Sequence, residues 1–200
     1  MTHEIKENMK TNLTYEQRRN FLLIVFLIGV VLIAIVAQAT TLVRLTFPEL
    51  VKNSSAIAHV RCLGSQAVFE NGEIWTDTSL EVLESNKGNL PAIVVVRQPG
   101  GKLAHLESRV DGTPQFRVGE ELYLFLAGQP AGRFFLVGWS QGTFRVRRNP
   151  RTGLATVTQD SAEIPAYDQQ SREFTKTGVK DMRLDSFREQ LRREMLRQIP

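Results

Sequence analysis

The feature that most constrains this chain is a continuous apolar run over residues 21–37. An arginine pair at 18–19 precedes the run, and the small-residue triplet AQA at 37–39 follows it. A positive flank, an apolar core and an A-x-A site, in this order, are typical of a secretory signal. We therefore expect cleavage after Ala39 and export of the chain from Thr40 onward.

A second interpretation is that the same run is retained as a membrane anchor. No charge occurs between Arg19 and Arg44, and this span exceeds the roughly 20 residues that a transmembrane helix needs. Residues 21–43 would then attach the protein to the cytoplasmic membrane. In both cases the basic flank keeps the N-terminus in the cytoplasm. We expect the folded part to be periplasmic or extracellular.

Removal of residues 1–39 as signal or anchor leaves about 160 residues, which is enough for one domain with its own core. The pattern predicts a β-barrel-like domain over 40–158, a polar linker over 159–183 and an amphipathic helix over 184–200. The excess positive charge of the chain lies mostly in its last third, which is weak evidence for an anionic partner.

Cys62 is the only cysteine, so the chain cannot form an intrachain disulfide in an oxidising compartment. The domain must therefore be stabilised by its core. Alternation along the predicted strand places Cys62 on the apolar face, where we expect it to be buried. The same alternation predicts that His59 lies on the wet face.

Period-two alternation predicts a mainly β fold. Residues 56–69 and 74–84 are expected to pair across Asn71-Gly72, the strongest hairpin signal in the chain. Residues 121–126 (ELYLFL) are apolar on both faces, which favours an interior strand. Residues 102–114 lack periodicity and are predicted to be an irregular crossing. Further strands are predicted at 41–45, 92–97, 133–137, 144–147 and 154–157.

Two capping boxes predict helices near the ends of the domain. Thr46 and Glu49 form the first box, which predicts a helix over 47–52 with Pro48 in its first turn. The second box, at 186–189, predicts the start of the C-terminal helix. We expect the apolar stripe of that helix to pack on the sheet, the alternative being a partner or membrane-surface helix. The stripe consists of Leu184, Phe187, Leu191, Met195 and Ile199.

Five or six antiparallel strands with a short N-terminal helix and a C-terminal amphipathic helix describe a small OB-like barrel. Between residues 54 and 146 the chain contains SSAIAHVRC, ENGEIWTDTSLEVLESNKG, VVVRQPGG, VGEELYLFL and VGWSQGTFRV in this order. This order resembles that of an uncharacterised family of bacterial exported proteins. The strand order, with a Lys-Gly turn after the second strand, also resembles the barrel of netrins and tissue inhibitors of metalloproteinases.

The second resemblance implies a fold and no more. Inhibitors of that kind present an N-terminal cysteine that chelates a catalytic zinc, and they carry a disulfide framework. Here the expected mature chain begins at Thr40 and contains a single cysteine. The resemblance therefore does not imply a chelating inhibitor.

Four residues are predicted to contribute to ligand binding. Trp75 and Asp77 alternate onto the solvent face of one strand, where an aromatic ring can be a stacking platform for a sugar; the alternative is that a later segment covers Trp75. Arg97 directly precedes a turn that contains a glycine pair. Trp139 lies at a strand end, where it is either a pocket wall or a core plug.

The chain contains no nucleotide-binding, zinc-protease or nucleophile-elbow motif. We therefore predict no catalytic residue, no metal ligand and no cofactor. The expected function is a non-enzymatic binding or interaction module for an unknown protein or saccharide ligand outside the cytoplasm, with no nucleic acid as partner. The alternative is a hydrolase or metal-dependent enzyme with a site in residues 102–114.

Overall fold

The computed structural model describes residues 17–26, 42–128, 132–176 and 178–198. Residues 17–26 are helical and are labelled α1. None of the helices in these four ranges is long and apolar enough to cross a membrane. Residues 1–16 and 27–41, most of the predicted signal or anchor, lie outside the described ranges, so cleavage and anchoring stay predictions. The chain divides into two compact units, 1–41 and 42–200; the second is described below by itself.

The second unit is built on a long antiparallel ribbon. Strands β1 (Ala56–Glu70) and β2 (Glu73–Lys87) pair along their whole length. Asn71 and Gly72 have φ angles of 54° and 86°, and positive φ at both turn residues is what a type I′ turn requires. The predicted hairpin is therefore confirmed.

Three more strands continue the ribbon into a partly closed ring. β2 pairs with β3 (Ile93–Pro99), and β3 pairs in parallel with β7 (Arg133–Leu136). β7 is antiparallel to β6 (Glu121–Ala127), and β6 pairs back onto β1. The hydrogen-bonded order β1-β2-β3-β7-β6 thus returns to its first strand. The predicted mainly β fold is confirmed.

The sheet extends beyond the ring on one side. β8 (Thr143–Arg148) pairs with the beginning of β6, and it is followed by β9 (Ala155–Gln159) and β12 (Met182–Arg183), which gives an eight-stranded sheet. A 3-10 turn, Trp139–Gly142, leads from β7 into β8. Three strands therefore lie outside the ring.

Two short hairpins lie in segments for which the sequence predicted no strands. β4 (Gly101–Leu103) and β5 (Leu106–Ser108) form one, so the prediction of an irregular crossing is wrong there. β10 (Ala166–Asp168) and β11 (Glu173–Thr175) form the other. Strands of three residues are too short to show an alternation in sequence.

Two apolar clusters lie on opposite faces of the sheet. The inner core lies within the ring and draws its buried residues from the five ring strands only. The outer core lies between the sheet and the helices. β6 contributes to both: Leu122 and Leu124 face inward, while Tyr123 and Phe125 face the helices. This explains why its sequence is apolar on both faces, and the predicted interior position is confirmed.

Two helices cover the outer core. α2 (Phe47–Asn53) begins with the predicted capping box: Thr46 Oγ1 accepts from the Glu49 amide, and Glu49 Oε2 accepts from the Thr46 amide at 2.7 Å. The hydrogen bond from the Thr46 backbone holds the pKa of Glu49 below its usual value. The first capping box is therefore confirmed.

α3 (Leu184–Arg197) begins two residues before the second predicted capping box. Its N-cap is Arg183, which makes no side-chain capping bond, because β12 leads directly into the helix. The box prediction is wrong, but the predicted docking is confirmed. Leu184, Phe187 and Leu191 are buried in the outer core, and Ile199 lies outside the described residues.

Candidate functional site

Three of the four residues predicted to bind a ligand lie together on the outward face of β2 and β3. Asp77 and Arg97 are direct cross-strand partners on β2 and β3. Arg97 Nε and Nη2 donate to the two oxygens of Asp77 at 2.7 and 2.8 Å. Arg97 Nη1 also donates to Glu70 Oε2. The Arg97 guanidinium lies 5.8 Å from the ring centroid of Trp75.

Through these contacts Arg97 links β3 to Asp77 of β2 and to Glu70 of β1. Its hydrogen bonds hold the pKa of Asp77 below its usual value, and those same bonds raise the pKa of Arg97 further above its ordinary range. Arg97 is only 8% exposed, and two carboxylates already balance its charge. Trp75 keeps a partly exposed ring beside it.

Trp139 lies apart from this group. It is the first residue of the 3-10 turn, has a φ of 51° and packs against the inner core. A Cβ placed on Gly112 would lie 3.5 Å from Trp139 Cε3. Two alternatives were predicted for Trp139, a pocket wall and a residue that fills the core. Its contacts with the inner core favour the second.

The largest change in chemistry along the ring occurs at one end of its interior. Successive cross-strand rows on the inward face run from Cys62–Leu80–Val94 to Ser65–Thr78–Val96 and then to Ala67–Thr76–Gln98. A register shift at Leu63 places Ser65 in line with Cys62. Beyond the apolar first row, the inward face carries polar side chains from all three strands: Ser65 on β1, Thr78 and Thr76 on β2, and Gln98 on β3, with Val96 and Ala67 between them.

A cleft of about 520 Å³ lies over these polar rows. Its opposite walls are the β4–β5 hairpin and residues 109–116. The hairpin lies so close to the ribbon that a side chain at Gly101 would collide with Thr76 Oγ1. Such a position requires glycine. The glycine pair of the predicted turn therefore also forms part of the cleft wall.

The polar groups of the cleft are held in place by hydrogen bonds. Ser65 Oγ and Thr78 Oγ1 lie 2.8 Å apart. Thr76 Oγ1 donates to the Gly100 carbonyl at 2.7 Å, and Gln98 Nε2 donates to the Pro114 carbonyl at 2.9 Å. This network fixes hydroxyl and amide groups along one side of the cleft, which is the arrangement that preorganises a site for a polar ligand.

Lys102, Glu107 and Arg109 are the charged side chains that line the cleft, and all three are exposed. The described lining residues include no histidine, cysteine or aspartate. Within the described ranges, no group of three or more potential ligands could hold a metal ion. His105 lies in the exposed turn of the β4–β5 hairpin. The cleft therefore offers hydrogen-bonding groups and a few exposed charges.

The alternative enzymatic site predicted in residues 102–114 includes one wall of this cleft, but the sequence did not indicate the strand residues Ser65, Thr76, Thr78 and Gln98 on the other side. Trp75, Asp77 and Arg97 alternate with Thr76, Thr78 and Gln98, so the two sets lie on opposite faces of the same strands. The signal that would identify the cleft is the appearance of polar inward residues in neighbouring rows of three strands. It becomes visible only when the pairing register is known, and that register includes a bulge.

Comparison with protein-family models, curated proteins and solved structures finds no match. The functional proposal is therefore based on the geometry of the chain itself.

Proposed function

We propose that this protein is a non-enzymatic binding module whose ring is an OB-type barrel and whose ligand occupies the cleft. The observation that carries the proposal is the set of polar side chains that three strands contribute to one end of the ring interior, Ser65, Thr76, Thr78 and Gln98. Hydrogen bonds within the protein satisfy these side chains and hold them in fixed positions, but an apolar core would not need polar side chains there. Ligand binding gives them a function.

The strand order supports the barrel assignment. A five-stranded ring, closed by pairing of its fourth strand with the first and with one parallel contact between β3 and β7, is consistent with an OB-type barrel. Barrels of this type bind oligosaccharides and oligonucleotides on the face of their second and third strands. β2 and β3 are those strands here. Because folds carry many functions, this likeness is an analogy.

The chemistry of the cleft favours a saccharide among these ligands. Single-stranded nucleic acid binds to positively charged grooves with several aromatic platforms. Here Glu107 offsets part of the charge of Lys102 and Arg109, and Phe116 is the one aromatic residue in the described lining. Hydroxyl and amide side chains are suited to sugar hydroxyl groups. On the signal interpretation, the ligand is met outside the cytoplasm.

The test is calorimetric titration of the full chain with a panel of linear oligosaccharides. Ser65 is exposed and its side chain faces the cleft, so Ser65→Phe should fill the cleft. Because the substitution also removes the hydrogen-bond partner of buried Thr78, the melting temperature is measured alongside binding. Gln66→Phe is the matched control, because Gln66 is also exposed but points to the opposite face of the same strand. We expect binding to be abolished in the first variant and retained in the second.

Equal affinity of the two phenylalanine variants, with unchanged melting temperatures, would contradict the cleft as the binding site. If the oligosaccharides give no heat and a protein partner binds the wild type but not Ser65→Phe, the ligand is a protein. Chain shortening of a titrated oligosaccharide, detected by mass spectrometry, would favour the hydrolase alternative at residues 102–114.

A further inference from the structure

A groove of about 620 Å³ lies on another part of the surface, between α2, the end of β2 and the last turns of α3. Its apolar part is formed by Val51, Met195 and Leu196. Val51 is fully buried, whereas Leu196 is 63% exposed. The groove thus combines an apolar floor with a large aliphatic side chain that the described structure leaves uncovered.

Three positive charges from three different elements surround this floor. They belong to Lys52 at the end of α2, Lys87 at the end of β2 and Arg192 on α3. Lys87 Nζ donates to the Val51 carbonyl at 2.7 Å. Within the described ranges, none of the three cations has a carboxylate oxygen within 4.0 Å. By contrast, Arg193, the next residue on α3, pairs with Glu189 at 3.4 Å.

The C-terminus of α3 opposes these cations with a partial negative charge. The helix dipole places about half an elementary charge there, so three full positive charges outweigh it. Two carboxylates bond to residues of the groove lining, but Glu84 pairs with Arg188 at 3.4 Å and Glu194 with Arg197 at 3.5 Å, so each already has a cation of its own. The three unpaired cations therefore favour an anion in the groove.

Asn86 supplies a second, independent observation. Its Nδ2 donates to Glu84 Oε1 at 2.8 Å, which fixes the orientation of the amide. Its Oδ1 is buried and has no hydrogen-bond partner. Asn86 lines the groove, and a buried carbonyl oxygen without a partner is destabilising unless a donor reaches it. Asn86 Oδ1 therefore lacks a donor, and the three cations of the groove lack a carboxylate partner within the described ranges.

We propose that this groove binds one anionic amphiphile with an acyl chain, whose head group carries an N–H or O–H donor next to its negative charge. The apolar floor takes the chain, the three cations take the charge, and Asn86 Oδ1 accepts from the donor. A pocket of a few hundred Å³ is the usual size for a small-molecule site.

The geometry favours a single molecule over a membrane surface. A helix that lies on a bilayer inserts its apolar face into the headgroup region. The apolar stripe of α3 is already buried against the sheet, because Leu184, Phe187 and Leu191 are at most 5% exposed. The remaining apolar surface of α3 beside the groove consists of Met195 and the exposed Leu196, which is enough for one acyl chain but is not a continuous face that could insert into a bilayer.

The test uses the full chain in phosphatidylcholine nanodiscs, which accommodate residues 21–37 in either interpretation of that run. The probe is an N-acylglycine with a twelve-carbon chain that carries a diazirine, and the labelled peptides are identified by mass spectrometry. We expect labelling of α3 near Met195 and Leu196 and of the end of α2. Excess N-lauroylglycine should suppress this labelling, whereas dodecyl maltoside, which has a neutral head, should not.

Two comparisons separate the contributions to binding. N-lauroylsarcosine has the same chain and charge as N-lauroylglycine but a methyl group in place of the N–H, so it should compete several-fold less well. Arg192→Gln should lower groove labelling about tenfold, the effect of one lost charge-assisted contact. Arg193→Gln, the matched control, should leave the labelling unchanged.

Three results would overturn the proposal. One is equal labelling of the Arg192→Gln and Arg193→Gln variants with unchanged melting temperatures. Another is labelling confined to residues 21–37. Equal competition by N-lauroylsarcosine would remove Asn86 from the site and with it the requirement for a donor in the head group.

Discussion

His59 lies between the sheet and α3 and is only 4% exposed. The prediction that it faces solvent is wrong, because α3 covers this face of β1. Its ring stacks on Tyr123, with centroids 4.6 Å apart and planes 4° apart. Tyr123 Oη in turn accepts from Arg188 Nε of α3 at 2.8 Å. His59 Nε2 lies 3.3 Å from Glu121 Oε2 but makes no hydrogen bond.

Burial should make the stability of the protein sensitive to mildly acidic pH. Desolvation lowers the pKa of His59 from its ordinary 6.5, an effect that Arg188 reinforces and that Glu121 and Glu84 oppose. The unfolded chain therefore binds this proton more readily than the folded one. The stabilisation is fully present above pH 6.5 and is lost as pH falls through the lowered pKa.

We expect the free energy of unfolding, measured by denaturant titration between about pH 8 and pH 5, to fall towards acid in the wild type and to change less in His59→Gln. His105→Gln is the control, because His105 is exposed and should leave the pH profile of the wild type unchanged. Carboxyl groups such as Asp77, with an ordinary pKa of 3.8 that is lowered further here, titrate below this window. Parallel profiles for the wild type and His59→Gln would contradict the assignment.

Two carboxylates on the outward face of β2 test how much burial changes the contribution of an ion pair. Asp77→Asn removes the charge from a two-bond contact with nearly buried Arg97, and we expect a cost of about 1.5–3 kcal/mol, the range for hydrogen bonds to charged groups. Glu81→Gln removes the charge from a contact with Arg61 at 3.2 Å, in which both side chains are more than 40% exposed. That cost should stay below about 1 kcal/mol. Chemical denaturation measures the cost of each substitution. Equal costs would show that the contact between Asp77 and Arg97 stabilises the fold no more than the exposed ion pair does.

At the scale of elements, local signals predicted the structure where the chain folds on itself over a few residues. The Asn71-Gly72 turn and the Thr46–Glu49 box are complete within four residues, and both are confirmed. The second box failed because a tertiary contact competes with it. Leu184 is 5% exposed, and its burial starts the helix directly after β12, before Ser186 can cap it.

The docking of α3 should account for a measurable part of the stability. Leu191 is 1% exposed in the outer core, and burial of such a side chain contributes roughly 1.5–3 kcal/mol. Leu191→Asp loses this contribution and also places a charge in an apolar site. We expect a lower melting temperature and a decrease of at least about 2 kcal/mol in the free energy of unfolding.

Leu196→Asp provides the matched control for that variant. It makes the same substitution on the same helix, but at a side chain that is 63% exposed, where changes usually stay within about 0.5 kcal/mol. Similar losses in both variants, measured by calorimetry, would show that α3 does not owe its position to the buried stripe.

At the scale of the molecule, the sequence could indicate strands but not which of them would meet. β1 pairs with β6 some 60 residues later, with Arg61 opposite Glu121, and this contact closes the ring. Burial of His59 depends on Arg188 and its helix, which are still further along the chain. The cleft depends on the pairing of β1, β2 and β3, so its residues could be found only after the register was known.

The placement of the whole molecule depends on residues 21–39, and the last prediction concerns them. Signal peptidase requires small side chains at the first and third positions of the A-x-A triplet and tolerates variation at the middle one. The run of 21–37 is at the short end of the range for a transmembrane helix, which favours cleavage.

Mass spectrometry of the protein from its native host should find a mature chain that begins at Thr40. Ala39→Phe should block processing and leave the precursor in the membrane fraction, while Gln38→Phe, the neighbouring control, should be processed like the wild type. An intact 21–37 peptide in the membrane fraction of wild-type cells, with no chain beginning at Thr40, would instead establish an anchor and place the ring, the cleft and the groove on a membrane-attached protein.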